Sequence, residues 1–218
     1  MGDRHDLATG DLAELDNALS RFLDSSTPDE EIVRLREFGP AALERVLDLC
    51  FQGAAQGVPP LRPVPSVKGR DAVDAWSSAI AGLGGAFPDE FLDAVQRMGL
   101  AFGKVDLTVV TTVAGIDRPR AEALLSDFAE SSDYLIRYHS LRGLGWRDSE
   151  TSLAVVARHI TDPSPLVRMQ AIRGVARRDP FRAIPLLEAM VADGSTPPLL
   201  RNEAKTLLDE LRAKLHRA

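Results

Sequence analysis

The stretch DYLIRYHSLRGLG, residues 133–145, decides the fold because the chain repeats it. It returns as SPLVRMQAIRGVA at 164–176 and, with more changes, as PPLLRNEAKTLLD at 197–209. The copies align on one arginine each, 31 and 33 residues apart: Arg137, Arg168 and Arg201. Such a period is typical of α-solenoids, in which each helical pair buries its apolar face only against neighbouring pairs. The repeat therefore predicts an all-α solenoid of helical pairs.

Helical periodicity extends this pattern over the C-terminal half of the chain. Three pairs of helices are predicted there: 118–130 with 133–145, 150–160 with 164–177, and 181–192 with 198–215. The turns 162–165 and 195–198 place capping residues and prolines at helix starts. The β-branched run 105–114 also suits a strand, but we predict a helix because the second helix of a pair is due there.

The first hundred residues are less regular. Residues 1–56 are predicted to form irregular helices, and 57–69 (GVPPLRPVPSVKG) an extended connector, because four prolines exclude an α-helix. Helices resume at residue 70, and the glycine-rich segment 82–85 is expected to end the first of them. We expect residues 70–218 to carry the repeats, as one continuous solenoid domain.

The second copy resembles a HEAT repeat, in particular the short HEAT-like repeats of bacteria. The matching pattern D-x-S-x-x-V-R-x-x-A-I-x-x-V is carried by Asp162, Ser164, Val167, Arg168, Ala171, Ile172 and Val175. The resemblance covers about residues 117–210 and is weak in the first hundred. It implies a right-handed solenoid of about five helical pairs, the first of them irregular.

The resemblance also implies a structural ladder. In HEAT-like repeats, an Asp and an Arg six residues apart hydrogen-bond between successive repeats. The residues assigned to this ladder are Arg137, Asp162, Arg168 and Arg201. Serines stand six residues before the other two arginines, at Ser131 and Ser195, so the predicted ladder is incomplete.

Alignment of the copies separates core positions from surface positions. The apolar or small positions are predicted to be core: Leu135, Ile136, Ser140, Leu141 and Leu144 in the first copy, and Leu166, Val167, Ala171, Ile172 and Val175 in the second. In HEAT-like solenoids the second helices usually line the concave side, so the remaining positions face a groove. The predicted partner-binding residues are Tyr134, Tyr138, His139, Arg142, Trp146, Met169, Arg173 and Arg177. Interface hot spots are enriched in aromatic and arginine side chains. The alternative is that the aromatic rings only fill the contacts between neighbouring repeats.

The net charge of −6 conceals an asymmetry. Residues 1–50 contain 5 basic and 12 acidic side chains, whereas residues 137–182 contain 9 arginines and 4 acidic side chains. A chain polarised in this way can steer a charged partner to one end, unless the arginines only decorate solvated helix faces. The expected partner is another protein with an acidic or mixed-charge segment.

Signatures of catalysis and metal binding are weak. The single cysteine, Cys50, excludes an internal disulfide and a multi-cysteine metal site. The four histidines form no H-x-x-x-H pair, and neither a Walker lysine nor a nucleophile motif is present. We expect no metal and no cofactor. With no apolar run of membrane-spanning length and no secretory signal, a cytoplasmic location and no membrane contact are expected.

These observations favour a non-catalytic adaptor or regulator that binds a partner protein in the groove. An alkylpurine DNA glycosylase of HEAT-like architecture is an alternative, because such enzymes combine a basic groove with tryptophans and an aspartate. The residues that suit this alternative are Arg142, Arg173, Arg177, Trp146 and Asp148. The acidic chain, with a pI near 5.3, argues against nucleic acid as the partner. A lyase-type or structural subunit of a complex is a further alternative.

Overall fold

The computed structural model describes residues 9–25, 28–55, 72–98 and 107–217. All regular secondary structure within these ranges is helical, which confirms the predicted all-α class. Packing divides the chain into two compact units, Met1–Thr112 and Val113–Ala218, and each is described by itself. The predicted connector at 57–69 lies outside the described residues, so the predicted division into 1–56, 57–69 and 70–218 stays a prediction.

Helices α1 to α5 and most of α6 lie in the first unit. Their bounds are α1 Thr9–Asp24, α2 Pro28–Arg36, α3 Pro40–Ala55, α4 Ala72–Ala86, α5 Pro88–Met98 and α6 Leu107–Gly115. Proline begins α2, α3 and α5, where its missing N–H is not needed and its fixed φ suits the helix. The β-branched run is helical, as predicted. There Thr112 Oγ1 donates to the carbonyl of Thr108 at 2.8 Å, a bond that threonine side chains make readily inside helices.

The glycine-rich segment 82–85 lies inside α4, so the prediction that it ends the helix is wrong. A Cβ atom on Gly82 would lie 2.7 Å from Ile32 Cγ2, and one on Gly84 would lie 2.8 Å from Thr112 Cγ2. The missing side chains therefore let α4 approach α2 and α6 closely. Contacts of this kind offset the cost of about 1 kcal/mol that glycine imposes on a helix interior relative to alanine.

Three consecutive helical pairs follow the end of α6 in the second unit. They are α7 (Pro119–Phe128) with α8 (Tyr134–Leu144), α9 (Glu150–Arg158) with α10 (Pro165–Arg178), and α11 (Pro180–Ala192) with α12 (Pro198–Leu215). A 3₁₀ turn, His159–Thr161, extends α9. Local capping fixes several helix starts: the Asp133 carboxylate accepts from the N–H of Leu135, and the Ser149 hydroxyl accepts from the N–H of Ser152. The pairs follow the predicted ones closely.

Helix α10 lies at the centre of this unit, where it packs against α8, α9, α11 and α12. Most of the predicted core positions on α8 and α10 are buried. Each large aliphatic side chain buried there stabilises the fold by about 1.5–3 kcal/mol. Leu135 is an exception, because it lies in the first turn of α8 and is exposed there, and its assignment to the core is wrong. Leu166, near the start of α10, is only partly buried.

Candidate functional site

The three arginines in register hold the turns that precede the second helices α8, α10 and α12. Each guanidinium donates to two backbone carbonyls of the turn before its own helix: Arg137 to Ser131 (2.9 Å) and Ser132 (3.1 Å), Arg168 to Asp162 (2.9 Å) and Pro163 (3.2 Å), and Arg201 to Thr196 (2.9 Å) and Gly194 (3.4 Å). The repeated arginine therefore has the same hydrogen-bonding role in all three pairs.

Asp162 links the first pair of the second unit to the next pair. Its Oδ1 accepts from Arg137 Nη2 at 2.8 Å and its Oδ2 accepts from Arg137 Nε at 2.8 Å. The N–H of Ser164 donates to Oδ1, and His159 Nδ1 lies 3.4 Å from Oδ2. Burial raises the pKa of Asp162, but the hydrogen bonds from Arg137, Ser164 and His159 outweigh burial and hold the pKa below its ordinary value. The Asp162 and Arg137 side chains are only 4% and 12% exposed, so this ion pair is shielded from solvent.

The corresponding carboxylate of the last pair is Asp193, which the fixed spacing from the sequence missed. Its Oδ1 accepts from the N–H of Ser195 at 2.8 Å, just as Asp162 accepts from Ser164, and its Oδ2 lies 3.9 Å from Arg168 Nη2. The assignment of Ser195 as the equivalent position is wrong, because the last turn is two residues longer. The shared Asp-x-Ser pattern at 162–164 and 193–195 would have identified it.

Four side chains on and beside the second helices form what we call the basic–aromatic face: Arg142, Trp146, Arg173 and Arg177. Trp146 follows the end of α8 and is 69% exposed. The guanidinium carbon of Arg177, on α10, lies 3.7 Å from the centroid of the Trp146 ring, and its Nη1 donates to the carbonyl of Gly145 at 3.2 Å. A cation at this distance from an indole face is attracted to the ring electrons. Arg177 therefore joins the ends of two neighbouring second helices.

Positive charge on the basic–aromatic face is only partly neutralised. Partial burial lowers the pKa of Arg177, and the neighbouring charges of Arg173 and Arg142 lower it further. Arg173 forms an ion pair with Glu203 of α12. Within the part of the chain that the structure describes, Arg142 and Arg177 have no carboxylate partner. The face thus presents two arginines that an external anion can approach.

Residues 121–209 match the family model for HEAT repeats. This region of the chain is made of HEAT repeats. HEAT repeats generally mediate protein–protein interaction. Neither the curated proteins nor the solved structures contain a significant match to the chain.

Not all of the predicted aromatic contact residues of the first HEAT repeat lie on the basic–aromatic face. Tyr138 and His139 contact each other edge to face, with ring centroids 5.0 Å apart and an interplanar angle of 81°. Burial lowers the pKa of His139, and the charge of Arg142 lowers it further, so the imidazole is neutral at pH 7. Tyr134 is half-exposed in the first turn of α8, three helical turns before Trp146. Tyr134 therefore lies at the opposite end of the helix from the basic–aromatic face.

Met169 does not belong to the surface of these HEAT repeats. Its side chain is 1% exposed, so the prediction that it contacts a partner is wrong. Gln170, its neighbour, is buried as well. Helix α10 is the central second helix and is covered on both sides, so its buried stripe is wider than that of a helix at the end of the array. An alignment of copies treats all second helices alike and cannot register this difference.

No helix in the described ranges has the length and apolar character needed to span a bilayer. Across the same ranges, no cluster of three or more His, Cys, Asp and Glu side chains is arranged to hold a metal ion.

Proposed function

We propose that the HEAT repeats bind an acidic or mixed-charge segment of a partner protein on the basic–aromatic face, as a non-catalytic adaptor or regulator in the bacterial cytoplasm. The observation that supports this proposal is the exposed Trp146 ring stacked with Arg177 beside Arg142. Tryptophan and arginine are enriched among residues that dominate binding energies, because they bury a large area and offer several donors. A rigid pair of this kind loses little entropy when it is covered.

Electrostatics favours an anionic ligand group, such as a carboxylate, at this face. The charges of Arg142, Arg173 and Arg177 repel one another, and after burial this repulsion is the second cause that lowers the pKa of Arg177. A carboxylate relieves this repulsion and can accept two parallel hydrogen bonds from one guanidinium. The acidic first fifty residues repel the same ligand, so the charge asymmetry of the chain favours encounter with the arginine-rich segment.

The test is capture of the partner from an extract of the source organism, followed by titration of the purified partner. We expect Arg142→Glu with Arg177→Glu to weaken binding at least tenfold, since hot-spot arginines each contribute more than about 1 kcal/mol. A matched control, Arg158→Glu with Arg182→Glu, makes the same charge change on the first helices α9 and α11. Equal binding by the two double variants would contradict the proposal.

The same proteins test the DNA glycosylase alternative. That alternative predicts excision of alkylated bases from DNA and loss of excision in Asp148→Asn. The Asp148 side chain is fully exposed, and Arg178 Nη1 lies 3.9 Å from it. Arg177 covers one face of the Trp146 ring, so a base could stack on that face only after displacing the guanidinium. For a structural subunit, light scattering would instead detect self-association.

A further inference from the structure

The second helices α8 and α10 meet through backbone-to-backbone contact. A Cβ atom on Gly174 would lie 2.7 Å from Val156 Cγ1 and 3.4 Å from the Cα of Gly145. Conversely, a Cβ atom on Gly145 would lie 3.1 Å from the Cα of Gly174. A distance under 3.0 Å is sterically forbidden and 3.1 Å is very tight, so Gly174 has no room for a side chain beside Val156 of α9, and Gly145 has very little beside Gly174 of α10. This junction is closed.

The next junction, between α10 and α12, carries side chains at the equivalent positions. The register of the repeated arginines places Ala176 where the first junction has Gly145, and Leu207 where it has Gly174. Leu207 is partly exposed, and a groove of about 540 Å³ opens beside it. Arg173 and Arg177 line one side of this α10–α12 groove.

We infer that the α10–α12 groove binds an aliphatic side chain of the partner protein, presented next to an acidic residue that pairs with Arg177. This inference rests on the proposed function, because the groove and the basic–aromatic face share Arg173 and Arg177. It adds a specificity that charge alone does not supply: the partner segment is both acidic and aliphatic.

The apolar half of the inference follows from the lining of the groove. Ala176 of α10 and Leu207 and Leu211 of α12 present carbon atoms to it. Leu211 and Ala176 are themselves almost fully buried, so they form a fixed wall, while Leu207 remains partly exposed and available for contact. An aliphatic side chain placed against these three removes apolar surface from water on both partners.

The charges around the groove determine where the acidic neighbour binds. Glu203 pairs with Arg173, and the α12 side also carries Glu210 and Lys214, whose opposite charges leave that side with no net positive charge. A partner carboxylate is repelled by Glu210 and attracted by Arg177, which has no carboxylate partner among the described residues. The acidic residue of the partner is therefore directed to the α10 side, and the aliphatic residue to the α12 side.

The experiment selects binders from a phage library of random peptides against the full chain and measures the affinities of the recovered peptides. We expect enrichment of peptides that carry a Leu, Ile or Val close to an Asp or Glu. Leu207→Glu should weaken these peptides at least tenfold. The matched control is Leu199→Glu, which makes the same substitution on the same helix at an exposed leucine that does not line the groove.

Each outcome separates the inference from the proposed function. Acidic peptides that bind through Arg177 without any aliphatic preference, unaffected by Leu207→Glu, would overturn the inference and leave the proposed function standing. An absence of peptides that depend on Arg177 would overturn both. If the chain self-associates with rising concentration and Leu207→Glu abolishes this, a second copy fills the groove. If the chain retains single-stranded DNA in a salt-sensitive way and Leu207→Glu abolishes this, the groove is a nucleic-acid site. Either result overturns the inference. Circular dichroism of both variants checks that the helices are intact.

Discussion

The two junctions between second helices use the same repeat register but are built differently. At the α8–α10 junction, Gly145 and Gly174 bring the backbones into contact, and the ion pair that spans the first two pairs, Arg137 with Asp162, is nearly buried. At the α10–α12 junction, the equivalent positions carry side chains, and the corresponding ion pair is longer and more exposed to solvent. Arg168 and Asp193 lie 3.9 Å apart and are 22% and 41% exposed.

Copies of the same repeat can therefore either pack into a closed junction or leave a groove between their second helices. The second junction differs from the first in two side chains and in a turn that is longer by two residues. At the closed junction, the packed glycines and the shielded ion pair leave no space for a ligand between the helices. The open junction keeps the same helical frame but leaves Leu207 partly exposed beside a groove, which is why the proposed aliphatic contact lies there.

The largest effect on stability is expected from breaking the Arg137–Asp162 ion pair. Asp162→Ala removes both acceptors of Arg137 and leaves a nearly buried guanidinium with only its turn carbonyls as partners. We expect the free energy of unfolding to fall by about 3 kcal/mol, measured by urea denaturation. Asp193→Ala is the matched change at the open junction and should have a much smaller effect, because Arg168 already lies in partial contact with solvent. Equal losses in the two variants would mean that the junctions do not differ as described.

The second effect concerns the glycine contact. Gly174→Leu forces a side chain into the space between α8 and α9 that a single Cβ atom already overfills, and overpacking of this kind costs about 2 kcal/mol. Gly85→Leu is the control, because Gly85 also lies inside a helix but has no atom within 4 Å of its Cβ position. The control should be neutral or slightly stabilising, since leucine favours a helix more than glycine does. Thermal unfolding of both variants measures the difference.

A third effect is the pH dependence of the closed junction. The pKa of Asp162 is below its ordinary value in the folded state, so its contribution to stability is complete above the unfolded-state pKa of about 3.9. That contribution is lost as the pH falls through the lower folded-state pKa. The stability advantage of the wild-type protein over Asp162→Asn should therefore shrink below about pH 4. Urea midpoints measured above and below this pH test it, and an advantage that grows towards low pH would show that the sign is wrong.

Much of the C-terminal half could be predicted from sequence because its signals are local. Apolar periodicity, with proline and capping residues at the turns, located all three helical pairs between residues 117 and 215. The spacing along the chain was enough to align Arg137, Arg168 and Arg201. In the structure, each of them donates to backbone carbonyls of the turn before its own helix.

The features that sequence reasoning missed depend on what lies beyond each helix. Met169 is buried because α10 is covered on both sides, and Gly82 and Gly84 lie inside α4 where α2 and α6 approach it closely. The six-residue spacing between Asp and Arg did not identify Asp193, because a turn can lengthen without changing the helices it joins. The stacking of Trp146 on Arg177 joins residues of different repeats, and no spacing within one helix predicts it.

The smallest effect on stability is expected at the exposed end of the closed junction. Trp146→Ala removes the ring beneath Arg177, and a cation–π contact at an exposed site is worth about 0.5–1 kcal/mol, so unfolding should change by no more than this. Binding should change far more, because most of the ring is exposed on the basic–aromatic face and available to a partner. Trp146→Phe, which keeps an aromatic face for the guanidinium, should retain most of the affinity. A loss of stability of several kcal/mol with unchanged binding would instead make Trp146 a seal between repeats, and the basic–aromatic face would lose its central anchor.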